Sequence, residues 1–150
     1  MHRRRLTGGL LALAAATGLT ACNGSDTVGA STAAQAASPA CTRAAANWPK
    51  TVAQQKTRQT SAKSNTVRAW GDPAIIARCG VSSPGPTTDE CFDVDGIDWV
   101  GHQLSDGFRF VTYGRSPAIE VLIPKKYEGW GVAAFTAAAR TIPQSTHRCS

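Results

Sequence analysis

Five cysteines, at positions 22, 41, 79, 91 and 149, constrain this chain more than any other feature. An odd number in an exported protein leaves one thiol to be explained, and the first lies at the end of an apolar N-terminal run. His2-Arg3-Arg4-Arg5 is a positively charged start, and Leu10 to Ala16 is the heart of a short apolar stretch. Leu19-Thr20-Ala21-Cys22 then supplies the small residues and terminal Cys of a lipobox. The apolar stretch is too short and too Ala-rich to span a membrane comfortably. We therefore expect residues 1–21 to be a lipoprotein signal peptide and Cys22 to be lipidated, which leaves four cysteines to pair. An ordinary signal cleaved after Ala21 is the alternative, and the Arg pair leaves twin-arginine export open beside the general route. A lipid on Cys22 anchors without spanning, so the expected location is the extracytoplasmic face of the cell membrane.

Residues 22–40 are rich in Ser, Thr, Ala and Gly, hold one charge and contain no aromatic residue. Nothing there alternates in a way that would bury a face, so a disordered tether is expected, reaching on the order of 20–25 Å. Residues 41–150 are then a single domain. Four cysteines allow three pairings. Cys79 and Cys91 lie close in sequence around a Ser-Ser-Pro-Gly-Pro loop, so a 79–91 bridge with 41–149 is expected, the second closing almost the whole domain.

Within that domain the densest stretch is Trp70-Gly71-Asp72-Pro73 followed by Ala74 to Val81. Gly-Asp-Pro is a turn signal, and it separates two strand-like runs, 66–70 and 74–81. In the second, Ile75, Ala77, Cys79 and Val81 share a face. Three more strands are expected over 96–104, 108–113 and 117–124, with Ser105-Asp106-Gly107 as a hairpin turn. In the last, Ile119, Val121 and Ile123 alternate with Glu120 and Leu122. A short helix over 43–47 capped by Thr42, another turn or two over 52–56 after Pro49, and a C-terminal helix carrying Val132, Phe135, Ala139 and Ile142 complete the pattern. The expected fold is α+β: a mainly antiparallel sheet of about five strands, a short N-terminal and a C-terminal helix on one face, and two disulfides.

Candidate chemistry is sparse. The 16 Lys+Arg against 10 Asp+Glu become 13 against 10, or +3, without Arg3, Arg4 and Arg5, too little for a nucleic-acid partner. The cations of 54–68 read as a solvated loop, with attraction to an anionic membrane as the alternative. Asp93-Val94-Asp95-Gly96-Ile97-Asp98 lacks the Gly and Glu positions of a calcium loop, so no metal and no cofactor are expected. His102 and His147 lack metal-ligand spacing, and oxidised cysteines are not nucleophiles. Asp72, Arg78 and Arg115 are candidate surface contacts, with Asp72 and Arg78 able to pair. Trp48, Trp70 and Trp99 are expected in the core, and Trp130 is the candidate for an exposed ligand-stacking ring.

Trp70 to Ile75 with Arg78-Cys79-Gly80-Val81, Cys91, Asp95 to Trp99, Phe110 to Arg115 and Pro117 to Val121 together resemble an actinobacterial family of small envelope proteins, the domain of unknown function 3515. Ala77 stands where that pattern has Leu. The resemblance covers most of 41–150 and implies an exported or membrane-associated protein with no assigned activity. The expected function is a non-catalytic binding or interaction domain on the membrane's outer face, contacting another envelope protein or a cell-wall component. The alternative is an envelope glycan- or peptidoglycan-acting enzyme using carboxylates near Asp93–Asp98.

Overall fold

The structure, a computed structural model, describes residues 26–129 and 131–150. Cys22 and Trp130, and with them the expected signal peptide, lie outside the described residues.

Alternation between apolar and polar residues builds one antiparallel sheet of eight strands: β1 (Thr51–Val52), β2 (Gln55–Arg58), β3 (Val67–Trp70), β4 (Ile75–Val81), β5 (Glu90–Val94), β6 (Ile97–Gln103), β7 (Gly107–Thr112) and β8 (Ala118–Pro124). Their order is β1-β2-β3-β4-β8-β7-β6-β5. Two meanders, β1–β4 and β5–β8, thus meet along the β4–β8 seam. The helices are α1 (Pro39–Ala45) and α2 (Thr136–Arg140), the latter preceded by a 3-10 turn over Val132–Phe135.

The expectation of about five strands is therefore corrected, and with it the α+β assignment: the domain is mostly sheet, with two small helices. The strands at 67–70, 75–81, 97–103, 107–112 and 118–124 fall where alternation placed them. Three were missed. β1 and β2 form a hairpin over 51–58, where a helical turn was expected; Ala53 and Gln54 both take positive φ, the geometry of a tight two-residue hairpin turn. β5 pairs with β6 through Asp95-Gly96, again both at positive φ. Its polar Glu90 and Asp93 hid it, because an edge strand can leave them in solvent.

The N-terminal segment is also corrected. Residues 26–40, expected within a disordered tether, lie on the domain. Val28 is buried and pairs with Thr60 in a parallel bridge. Gln35 N–H donates to Gly80 C=O at 2.9 Å, and a Cβ at Gly80 would clash with the backbone of Gln35 and Ala36. The first helix is capped not by Thr42 but by Ser38, whose Oγ accepts from Cys41 N–H, with Pro39 opening the first turn.

One face of the sheet carries the core. Trp70, Ile75, Ala77, Cys79, Trp99, Ile119, Val121 and Ile123 pack against α1, α2 and Phe135. Phe135 meets Trp48 and Trp70 edge-on, with ring centroids 5.9 and 5.3 Å apart.

The disulfides are Cys41–Cys79 and Cys91–Cys149, not 79–91 with 41–149. Topology gives the reason. β8, β7 and β6 lie between β4 and β5, so Cys79 and Cys91 stand four strand spacings apart, about 19 Å, far beyond a disulfide's reach. Cys41–Cys79 ties α1 to the covered face of β4. Cys91–Cys149 ties the C-terminal tail to β5.

Candidate functional site

The side of the sheet away from the helices is where the domain presents chemistry. Register places one row of side chains across the central strands of that side: Arg78 on β4, Glu120 on β8, Val111 on β7, Val100 on β6 and Cys91 on β5. The neighbouring row is Ile76, Leu122, Arg109 and His102. The tail stapled by Cys91–Cys149 comes to the β5 end of this face, leaving Arg78, Arg109, Ile76 and Leu122 in partial contact with solvent.

At the seam, Glu120 is 2% exposed yet ionically satisfied. Arg78 Nε donates to Oε1 and Arg109 Nε to Oε2, each at 2.6 Å. These charge-assisted bonds are the strong kind. Each guanidinium uses only its Nε on Glu120, and the Nη groups of both have no other protein partner among the described residues. The side chains of Arg78 and Arg109 are 31% and 43% exposed. The result is a triad of net charge +1: one sunken carboxylate fixes two guanidiniums, whose outer edges face solvent ready to donate to an oxyanion.

One register row on from Arg78 and Glu120 lies a hollow of about 540 Å³ lined by Ile76, Leu122, Leu104 and Pro73, with Asp106, Lys125 and Lys126 also among its lining residues. Its volume falls within the range of small-molecule sites. Lys126 Nζ donates to Asp72 C=O and Tyr127 Oη to Pro73 C=O, which ties the end of β8 to the β3–β4 turn and shapes that side of the hollow. A second hollow, about 450 Å³, lies between the Ser83–Pro86 loop and the tail around Gln144 and His147, but it lacks an apolar floor of strand side chains.

A family model described as "Protein of unknown function (DUF3515)" matches residues 5–148. The chain belongs to that family. No curated protein and no solved structure matches it.

Within this DUF3515 domain the candidate residues scatter. Arg78 lies in the triad. The expected pairing of Asp72 with Arg78 is corrected: Asp72 lies 3.7 Å from Arg58 at the opposite end of β4, and Arg78 pairs with Glu120. Arg115 is not a surface contact: it is buried, and its Nη1 donates to Ile142 C=O, holding the end of α2. Burial pushes its pKa below the ordinary guanidinium value, opposed by the charge of Asp98. Asp93 accepts from Gly96 N–H in its own turn, while Asp98, its register partner, is buried 3.9 Å from Arg148 in the tail. His102 is exposed on the open face, 3.6 Å from Asp89. Among the described residues, no group of three His, Cys, Asp or Glu is placed to hold a metal ion, and no helix is long and apolar enough to cross a membrane.

Glu120 and Arg109 are the site residues that sequence reasoning missed. The available signal was a lone carboxylate in the middle of the seven-residue apolar run that became β8; that Arg78 lies opposite it and Arg109 diagonally across from it is known only from the register.

Proposed function

We propose that this protein is a non-catalytic binding domain, anchored through a lipid on Cys22 to the extracytoplasmic face of the cell membrane, whose ligand is an anionic amphiphile of the envelope. The observation that carries the ligand class is the pairing of two half-exposed guanidiniums, held by one buried carboxylate, with the apolar floor of Ile76 and Leu122 directly alongside. An oxyanion meets the free Nη groups, and an aliphatic portion covers the floor. Both Glu120 oxygens already accept from guanidinium donors, so this carboxylate positions the arginines and is not poised as a base. The lipobox ending at Cys22 supports the anchor.

Calorimetric titration of the oxidised protein with decyl phosphate, inorganic phosphate and decanol tests the ligand class. Decyl phosphate should bind saturably and at least tenfold more tightly than either fragment, because only it engages both elements. Equal or undetectable binding of all three would remove the ligand assignment. Metabolic labelling with a clickable fatty acid tests the anchor separately: the wild type should be marked and Cys22→Ser should not.

A further inference from the structure

The order of residues 26–40 shortens whatever joins the domain to Cys22. Only three residues lie between Cys22 and Asp26, so the covalent reach from one Cα to the other is at most about 14 Å. Polar headgroups occupy roughly 5–7 Å of each leaflet. A domain tied this closely to a lipid on Cys22 is held within about 9 Å of the headgroup surface, so the part of it nearest Asp26 faces the bilayer.

That part is well defined. Val28 N–H donates to Gln59 C=O at 2.8 Å, Ser61 N–H donates to Val28 C=O at 3.0 Å, and Asp26 lies 4.0 Å from Arg58. The chain therefore enters along β2 and the loop after it. Lys56 and Lys63 are exposed there, and Arg58, Lys63 and Arg68 line one polar hollow of about 350 Å³. Arg58 is offset by Asp26 and Asp72; Lys56, Lys63 and Arg68 have no acidic partner among the described residues.

We infer that this edge is a membrane-docking surface for anionic phospholipid, fixing the domain's orientation at the bilayer. The inference rests on the lipid anchor at Cys22 and is independent of the ligand assigned to the open sheet face. Each cation close to an anionic surface multiplies the docked population by about fivefold, and salt screens the effect.

The test uses the full lipidated protein in vesicles of phosphatidylcholine alone or mixed equally with phosphatidylglycerol, read by amide hydrogen exchange. Amides of 56–68 should exchange more slowly on the anionic vesicles than on the neutral ones. Half-molar salt should abolish the difference, and Lys56→Gln with Lys63→Gln should lower the docked-to-undocked ratio roughly 25-fold. These residues are exposed, so an unchanged thermal midpoint will show that the variant is folded. The mass of the N-terminal peptide separates the two readings. Lipid on Cys22 with equal exchange on both vesicles overturns the docking surface alone; no lipid on Cys22 overturns the anchor, and the docking surface with it.

Discussion

The two faces of the β4–β8 seam share a backbone and differ in every other respect. On one side Ile75, Ala77, Cys79, Ile119, Val121 and Ile123 are buried against the helices and bonded to α1 through Cys41. On the other, one position away, Ile76 and Leu122 line a hollow and Arg78 reaches solvent over the buried Glu120. The period of two in a strand makes this division automatic, and a one-residue slip would exchange the two sets. The difference teaches where selection for folding ends: one face is occupied by packing, while the other holds a charged group more elaborate than packing needs.

Substitutions at the covered face should cost stability. Phe135→Ala removes a fully buried ring set edge-on to Trp48 and Trp70, and should lower unfolding stability by about 3–5 kcal/mol in denaturant titration. Cys41→Ala with Cys79→Ala opens a bridge of sequence separation 38. Its loss should cost about 3–4 kcal/mol by the same measurement, while peptide mapping finds Cys91–Cys149 intact.

The open face should divide its effects. Glu120→Gln leaves two guanidiniums without their carboxylate. Removing one partner of a fully buried pair costs about 3–5 kcal/mol, but Arg78 and Arg109 can rehydrate, so about 1–2 kcal/mol is expected here. Arg78→Gln or Arg109→Gln leaves the buried Glu120 carboxylate with a single guanidinium and should cost a comparable amount, about 1–2 kcal/mol, while each weakens decyl phosphate binding roughly tenfold. An arginine variant as destabilising as Phe135→Ala would erase the distinction between the faces.

Much of the fold was legible because alternation is a local signal. The runs at 75–81 and 118–124 announced strands, and Asp106-Gly107 and Asp95-Gly96 sat at turns. What was not legible was order across the sheet. Nothing in the residues of β8 says that it returns to pair with β4, and that return is what separates Cys79 from Cys91 and brings Glu120 between Arg78 and Arg109. Ala53-Gln54 hid a hairpin because neither residue is a typical turn former at positive φ. Residues 26–40 looked disordered because their order comes from hydrogen bonds to β-strand and loop carbonyls rather than from buried side chains, Val28 excepted. The site was half visible: Arg78 stood out, whereas Glu120 became meaningful only once its two cross-strand neighbours were known.

The central claim is that the face away from the helices binds and the covered face does not. Residue-resolved NMR of the oxidised protein during titration with decyl phosphate tests it most directly. The account predicts saturable shifts at the Nε–H groups of Arg78 and Arg109 and at the methyls of Ile76 and Leu122, with Ile75, Val121 and Ile142 unmoved. Shifts spread over both faces, or concentrated around Gln144 and His147, would contradict it.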